Sequence, residues 1–175
     1  MNDLKEFVTA RVPGMRNLER AELVELVTAI GQAPELWRSK VRHDPGERIY
    51  IQLYRDTHLD VWMICWLDDQ KTGYHDHDLS SGAVYVCEGT LVEDRFHFGA
   101  RGLNHASRKR YAGKAFEFDA AYIHGIRHAG GPAATSVHCY SPPLWRMGFY
   151  DADAQGSLVR NSLSYLEEVA EGHSH

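Results

Sequence analysis

The stretch Tyr74-His75-Asp76-His77 decides the fold of this 175-residue chain, together with the glycines that follow it. Side chains two positions apart on a strand point to the same face, so His75 and His77 can reach one metal ion from a rigid element. Two surface histidines would show the same pattern, so the pair alone is a weak indication of a metal site. Its context is stronger, because Gly82 follows the pair after four residues and Gly89 follows after six more.

A second segment has the spacing to bring a further histidine to the same place. Ten residues separate Gly113 from His124, and His128 follows. In these distances the chain resembles the two motifs of the cupin superfamily, although Gly82 stands where the first motif has Glu, and the Pro, Gly and Asn of the second motif are absent. The resemblance implies an all-β fold, a cupin-type β-barrel of jelly-roll-like form.

A glycine in place of the usual carboxylate leaves a neutral ligand set of three histidines, His75, His77 and His124. Imidazole suits Fe(II), and three ligands leave coordination positions open. Neutral ligands also leave the charge of the metal uncompensated, which favours an anionic, soft ligand such as a thiolate with dioxygen beside it. We therefore expect Fe(II) as the cofactor.

The segment Ser136-Val-His-Cys-Tyr-Ser-Pro-Pro143 narrows the resemblance. It is similar to the Ser-x-His-x-Tyr-Ser-Pro-Pro signature of cysteine dioxygenases, and the similarity extends over roughly residues 48–150. Alternation along a strand places Ser136, His138 and Tyr140 on one side and Cys139 on the other. The residues themselves thus agree with the arrangement that the family implies.

The resemblance to cysteine dioxygenases implies a role for each candidate residue. The family's metal ligands fall on three histidines, its substrate-carboxylate group falls on an arginine, and its active-site tyrosine falls on the signature segment with two residues that position it. By this resemblance, the metal ligands are His75, His77 and His124, and the arginine that binds the substrate carboxylate is Arg55. The active-site tyrosine is Tyr140, and His138 and Ser136 position it. Animal members carry a cysteine that crosslinks to the tyrosine, whereas this chain has Gly82 there, as bacterial members do. We therefore expect no thioether.

The resemblance implies an oxidoreductase of cysteine catabolism that converts L-cysteine and O2 to cysteine sulfinate. A dioxygenase of another small thiol such as 3-mercaptopropionate stays open, because that substrate also carries a carboxylate. Related thiol dioxygenases commonly carry Gln where the arginine sits, so Arg55 favours cysteine. A non-enzymatic cupin that senses a metal or a small ligand also stays open, and it would need neither Arg55 nor Tyr140.

Arg55 and Tyr140 each have a purely structural alternative. Arg55 could form an ion pair with Asp56 or Asp60 on the surface of a strand. Tyr140 could fill the barrel core with its hydroxyl bonded to His138.

The chain is expected to form a single domain, residues 1–175. Residues 1–45 are predicted to be helical and to pack on the barrel, with Asn17 as a helix cap and Gly31 at the end of that helix. Residues 46–150 form the barrel, and residues 151–175 form a C-terminal segment and tail in which Ser164 and Glu167 offer a capping box for a short helix. The strands predicted for the barrel are residues 48–54, 61–67, 83–87, 91–98, 115–118, 122–126, 136–140 and 146–150.

The composition excludes several classes of protein. The formal net charge of −5 argues against nucleic acid as a partner, and the longest apolar run, residues 61–67, is too short to cross a bilayer. The N-terminus lacks the pattern of a secretory signal, and three cysteines without a CxxC pair argue against a disulfide framework. We therefore expect a cytoplasmic protein with no membrane partner, and the family resemblance suggests a monomer.

Overall fold

The computed structural model describes residues 4–99, 102–152 and 158–164. Within these ranges, short helices come first and two antiparallel sheets follow. None of these helices has the length and apolar character that a membrane span requires. The helices are α1 (Leu4–Thr9) and α2 (Arg20–Gly31), with 3₁₀ turns at Pro34–Leu36 and Arg38–Lys40, and the strands are β1 (Ile49–Arg55), β2 (Asp60–Trp66), β3 (Tyr74–Asp76), β4 (Ser81–Glu88), β5 (Thr90–Gly99), β6 (Gly102–Tyr111), β7 (Lys114–Phe118), β8 (His124–His128), β9 (Ala134–Ser141), β10 (Arg146–Ala152) and β11 (Leu158–Ser164).

The two sheets enclose a shared interior. One sheet has the strand order β1-β2-β9-β4-β7, and the other has the order β11-β10-β3-β8-β5-β6. Ile64 and Phe116 from the first sheet and Ile126 and Met147 from the second belong to one buried cluster. This arrangement confirms the predicted all-β, jelly-roll-like fold.

The five-stranded sheet is apolar on both faces because its strands separate two buried layers. On β2, Val61 and Cys65 pack in the cluster that contains α2, whereas Ile64 and Trp66 belong to the cluster between the sheets. The helix presents residues such as Ile30, which is fully buried, and burial of such a side chain contributes about 1.5–3 kcal/mol. The helical N-terminal segment therefore covers the outer face of the barrel, as predicted.

The alternation predicted for β9 is confirmed. Cys139 is fully buried on the side of the helices. Tyr140 belongs to the interior cluster, and His138 lines the cavity there. The strand thus presents His138 and Tyr140 to the space between the two sheets.

The start of α2 was predicted wrongly. Its cap is Glu19, whose backbone N–H donates to Glu22 Oε2 at 2.7 Å in a capping box. Asn17, the predicted cap, instead meets His58 Nδ1 through its side-chain oxygen at 3.1 Å. Arg16 holds the Glu22 carboxylate in place, which favours the later start.

Three strands of the second sheet differ from the prediction, among them β11, which lies in residues predicted as a C-terminal segment and tail. The strand β6 was missed, because its sequence is mostly polar and it forms the edge of its sheet. The strand β8 begins at His124 rather than at residue 122, since the Tyr122 backbone N–H bonds to the Asp119 carbonyl oxygen in a turn. Of the predicted C-terminal capping box, Ser164 ends β11, and Glu167 lies outside the described residues.

Candidate metal centre and active site

Three histidines converge in the interior between the two sheets. His75 lies on β3, His77 follows that strand directly, and His124 opens β8 as the register partner of His75. Their exposed fractions are 4%, 1% and 1% respectively. One ring nitrogen from each lies within 4.8 Å of the others. The structure thus brings together the three residues that the sequence proposed as ligands.

His75 and His77 have the neutral protonation state that metal ligation requires. Burial, and after it the charge of the neighbouring histidines, lowers the pKa of His75 and of His77 well below the usual value. His75 Nδ1 lies 3.2 Å from the Gly73 carbonyl oxygen and donates to it, which leaves Nε2 for a metal. Within the described part of the chain, the buried Nδ1 of His77 has no hydrogen-bond partner. Three buried imidazoles with ring nitrogens directed at one another fit a metal cation.

A buried carboxylate that the sequence analysis missed supports His124. Glu93 on β5 accepts a hydrogen bond from His124 Nδ1 at 3.0 Å and another from Arg110 Nε at 2.9 Å. Burial by itself would raise the pKa of Glu93, but these two bonds outweigh it and lower that pKa to about 2. A carboxylate in this place fixes the tautomer of a ligating histidine and raises its basicity. One feature of the sequence pointed to this residue. Glu93 lies two positions after Leu91 on a predicted strand, and both side chains therefore face the interior.

Phe118 fills the space next to Gly82. Gly82 pairs with Phe118 on β7 and with Tyr140 on β9. A Cβ atom at Gly82 would overlap the Phe118 ring and would lie 3.1 Å from Tyr140 Cδ1. The Phe118 ring stacks on His77, with 4.3 Å between the ring centroids. Glycine at position 82 therefore makes room for an aromatic wall beside the metal centre.

A chain of hydrogen bonds runs along β9 towards the three histidines. Trp66 Nε1 donates to Ser136 Oγ at 2.9 Å, Ser136 Oγ lies 2.8 Å from His138 Nε2, and His138 Nδ1 lies 3.2 Å from the Tyr140 hydroxyl. All of these side chains are buried. The Tyr140 ring lies 5.3 Å from that of His77, so the chain ends at the metal centre.

The indole group fixes the first step of this chain. An indole N–H only donates, so Ser136 Oγ accepts from Trp66. The directions of the next two contacts, Ser136 to His138 and His138 to Tyr140, are set by the tautomer of His138. Burial, and after it the charge of His124, lowers the pKa of His138 to about 3, and the ring is neutral at neutral pH. A neutral ring that accepts from Ser136 at Nε2 donates to Tyr140 from Nδ1, whereas the other tautomer accepts from Tyr140 at Nδ1. In both tautomers the chain holds the Tyr140 side chain at the wall of the cavity.

We expect Trp66→Phe to lower kcat by about 3- to 10-fold without a change in metal content. Without the indole N–H, Ser136 loses one of its two partners in the chain, so the His138 ring and the Tyr140 hydroxyl are held less firmly. The loss corresponds to one net hydrogen bond of about 0.5–1.5 kcal/mol. Steady-state dioxygen consumption measures it. Trp37→Phe is the control, because Trp37 is 2% exposed in the cluster under the helices; an equal loss of kcat in both variants would contradict the expectation.

The three histidines open onto a cavity with mostly apolar walls. A water-poor cavity strengthens the hydrogen bonds and charges inside it. Besides the histidines, the walls are formed by Tyr50, Trp62, Ile64, Thr72, Phe118, Ile126, His138, Tyr140, Leu144 and Met147.

Arg55 lies beside this cavity, and it is not among the described residues that line it. Its Nη1 lies 2.5 Å from Asp60 Oδ2, and both Nη1 and Nη2 lie 3.4 Å from the Leu144 carbonyl oxygen. Asp60 is fully buried and also accepts from Gln52 Nε2 at 3.1 Å. The ion pair with Asp60, one of the two alternatives for Arg55, is therefore formed.

A second guanidinium that the sequence analysis missed lies close to the cavity. Arg48 is 5% exposed, and its guanidinium carbon lies 5.3 Å from the centre of the Tyr50 ring and 5.5 Å from that of Trp66. Its charge contributes to the lowered pKa of His75, after burial and His124. A buried positive charge here favours anionic substrates.

The pattern of these residues is that of one protein family over most of the chain. The model of the cysteine dioxygenase type I family matches residues 8–153. The chain belongs to this family. Membership makes it a metal-dependent dioxygenase that uses O2 and a small-molecule substrate, and the three histidines are the group placed to hold the metal.

Solved structures share the fold of this cysteine dioxygenase family member at low sequence identity. A protein of Thermus thermophilus is 21% identical, with a TM-score of 0.51 over 60% of this chain and 92% of that chain. A cupin superfamily protein of Desulfitobacterium hafniense is 9% identical, with a TM-score of 0.50 over 61% of this chain and 87% of that chain. A recombinant oxalate oxidase in complex with glycolate is 17% identical, with a TM-score of 0.51 over 61% of this chain and 56% of that chain. These similarities confirm the cupin fold.

Proposed function

We propose that the protein is an Fe(II)-dependent dioxygenase that converts L-cysteine and O2 to cysteine sulfinate. The observation that carries this proposal is a buried three-histidine cluster beside the ring of Tyr140, in a chain of the cysteine dioxygenase type I family. The largely apolar cavity in which they meet suits a substrate as small as cysteine.

Fe(II) is proposed for the centre because imidazole nitrogen suits it and three protein ligands leave positions for other groups. When bound, Fe(II) supplies the redox chemistry with dioxygen and a positive charge for the thiolate. The residues His75, His77 and His124 would hold it, and Glu93 would keep His124 in the ligating tautomer.

The side chains of the cavity orient the substrate. Tyr140 donates a hydrogen bond to the sulfur or to the oxygen atoms that are transferred to it, and His138 with Ser136 holds the hydroxyl in that direction. Apolar residues such as Ile64 and Phe118 exclude water, so the product that leaves is the sulfinate in which both oxygen atoms of O2 are bound to sulfur.

The contact to the substrate carboxylate is proposed for Arg55. Its bonds to the Leu144 carbonyl oxygen are long, at 3.4 Å, and a carboxylate could replace them. Asp60 opposes this contact because it already neutralises the guanidinium. 3-Mercaptopropionate carries the same carboxylate, so this contact does not distinguish it from L-cysteine, and another small thiol of this kind is the second candidate substrate.

Dioxygen consumption by the purified Fe(II) protein tests the function. L-cysteine, 3-mercaptopropionate and cysteamine are offered in parallel, and the sulfinate product is assayed. We expect consumption with L-cysteine in proportion to sulfinate. A preference for another thiol would replace the substrate and keep the reaction, whereas no consumption by iron-loaded protein would refute the proposal.

Substitution of Arg55 separates carboxylate binding from a structural role. We expect Arg55→Gln to raise the KM for L-cysteine by about 10- to 100-fold, the worth of a hydrogen bond between charged groups. The KM for cysteamine, which has no carboxylate, should not change. Asp60→Asn is the matched variant, and it should lower the KM for L-cysteine because it removes the competing carboxylate. Equal effects on both thiols would show that Arg55 only supports the fold.

A further inference from the structure

The strand that carries the ligand pair is short and has few backbone contacts of its own. The strand β3 consists of Tyr74–Asp76. Its register with β8 consists of the single pair His75 and His124, and its other neighbour is β10. The position of His75 and His77 therefore depends on the contacts that hold this strand from the side of β10.

Asp76, between the two ligand histidines, collects hydrogen bonds from that side. Arg160 on β11 donates from Nε to Oδ2 at 2.7 Å and from Nη2 to Oδ1 at 2.8 Å, the paired geometry that is strongest for a guanidinium and a carboxylate. The Tyr150 hydroxyl donates to Oδ2 at 2.5 Å, and the backbone N–H groups of Asp78 and Gly148 donate to Oδ1. The carboxylate thus ties β3 to both strands of the C-terminal hairpin.

Arg160 reaches Asp76 across an intervening strand. In the order β11-β10-β3, its side chain must cross β10. It crosses at Gly148, which is the register partner of Asp76. A Cβ atom at Gly148 would overlap the guanidinium, with only 2.6 Å to Nη2. Glycine at this position leaves room for the Arg160 side chain to pass over β10.

The strand that supplies this arginine lies outside the part of the chain that matches the family. The family model ends at residue 153, and β11 is Leu158–Ser164. We propose that Arg160, passing over Gly148 to Asp76, is a positioning residue for the metal ligands His75 and His77, so that β11 sets the metal affinity of the centre. The inference rests on the metal site of the proposed function, and it does not depend on the thiol.

The physical reason is that Asp76 is covalently fixed between the two ligands. A displacement of its carboxylate moves both imidazoles relative to His124, which lies on a different strand. Contacts outside the ligand set typically change metal affinity by about 10- to 100-fold. The paired bonds of Arg160 therefore have enough effect to be measured.

The test is the dissociation constant of Fe(II), measured without oxygen or thiol by competition with a chelator. We expect Arg160→Met to raise it by about 10- to 100-fold. Gly148→Ala, which keeps the arginine and blocks its path, should have the same effect. Arg160→Lys should restore only part of the affinity, because an ammonium has no planar fork. The control is Arg146→Met. The Arg146 guanidinium is exposed and lies 3.5 Å from Asp78, so the Fe(II) affinity of this variant should equal that of the wild type.

Thermal unfolding of the metal-free proteins separates positioning from simple stabilisation. If Arg160→Met lowers the melting temperature while its Fe(II) dissociation constant equals that of the wild type, the contact is structural and the inference is overturned. Failure of the wild type to bind Fe(II) would remove the metal centre and this inference with it. Tight binding by the wild type with weak binding by both Arg160→Met and Gly148→Ala is the expected result.

Discussion

His77→Ala is expected to remove iron from the protein and to end thiol-dependent dioxygen consumption. His77 supplies one of three ligand nitrogens, and its ring is 1% exposed and stacked on Phe118. The loss of a ligand should exceed the effect of outer contacts on metal affinity, so turnover should fall on the order of 10³-fold or more. Iron content after gel filtration and the rate on a dioxygen electrode measure the two consequences.

The control for this variant is a histidine at the surface. His105 is exposed, and its Nδ1 lies 3.0 Å from the Tyr74 hydroxyl, away from the three ligands. His105→Ala should retain iron and rate. A His77→Ala protein with full iron content and full rate would show that the cluster is not the metal centre.

Tyr140→Phe is expected to retain iron and to lower kcat by about 10²- to 10³-fold, the usual cost of removing one oriented donor from an active site. The Trp66, Ser136 and His138 side chains hold the hydroxyl in place beside the cavity. The phenyl ring keeps the packing against His77, so KM and stability should change little. Parallel measurement of kcat, KM and iron content tests all of these expectations.

Tyr122→Phe provides the matched comparison. Its ring also packs against a ligand, 5.3 Å from that of His124, but its hydroxyl accepts a bond from Arg95 at 3.2 Å. This variant loses a tyrosine hydroxyl near the centre without the loss of a group that lines the cavity, so its kcat should fall much less than that of Tyr140→Phe. If both variants keep full kcat, Tyr140 is a core residue whose hydroxyl only bonds to His138.

Features that depend on short stretches of chain were predictable. The alternation along one strand placed His138 and Tyr140 inside and Cys139 outside, because successive side chains point to opposite faces. The helix that covers the barrel followed from its apolar periodicity. The clustering of the three histidines followed from motif spacing, because the number of residues between the two motifs is typical of the strands that lie next to each other in this fold.

Residues that act across the sheets were not predictable from spacing. Glu93 reaches His124 from a strand 31 residues away, and Arg160 reaches Asp76 over 84 residues. Neither contact has a local pattern, since the partner is chosen by strand order and register. Trp66 became part of the hydrogen-bonded chain for the same reason, because Ser136 lies on the neighbouring strand.

The surroundings of Arg55 could not be predicted from the local sequence. Simple alternation along β1 places Arg55 on the same face as Ile51 and Leu53, which pack in the cluster under the helices. A β-bulge between Gln52 and Tyr54 changes this parity and pairs Arg55 with Asp60. Residue spacing was thus sufficient for the fold and for the clustering of the three histidines, because both depend on strand periodicity and motif distances. The surroundings of Arg55 and the support of the ligands depend on one extra residue in a strand and on contacts between distant segments, which exist only once the sheets have assembled.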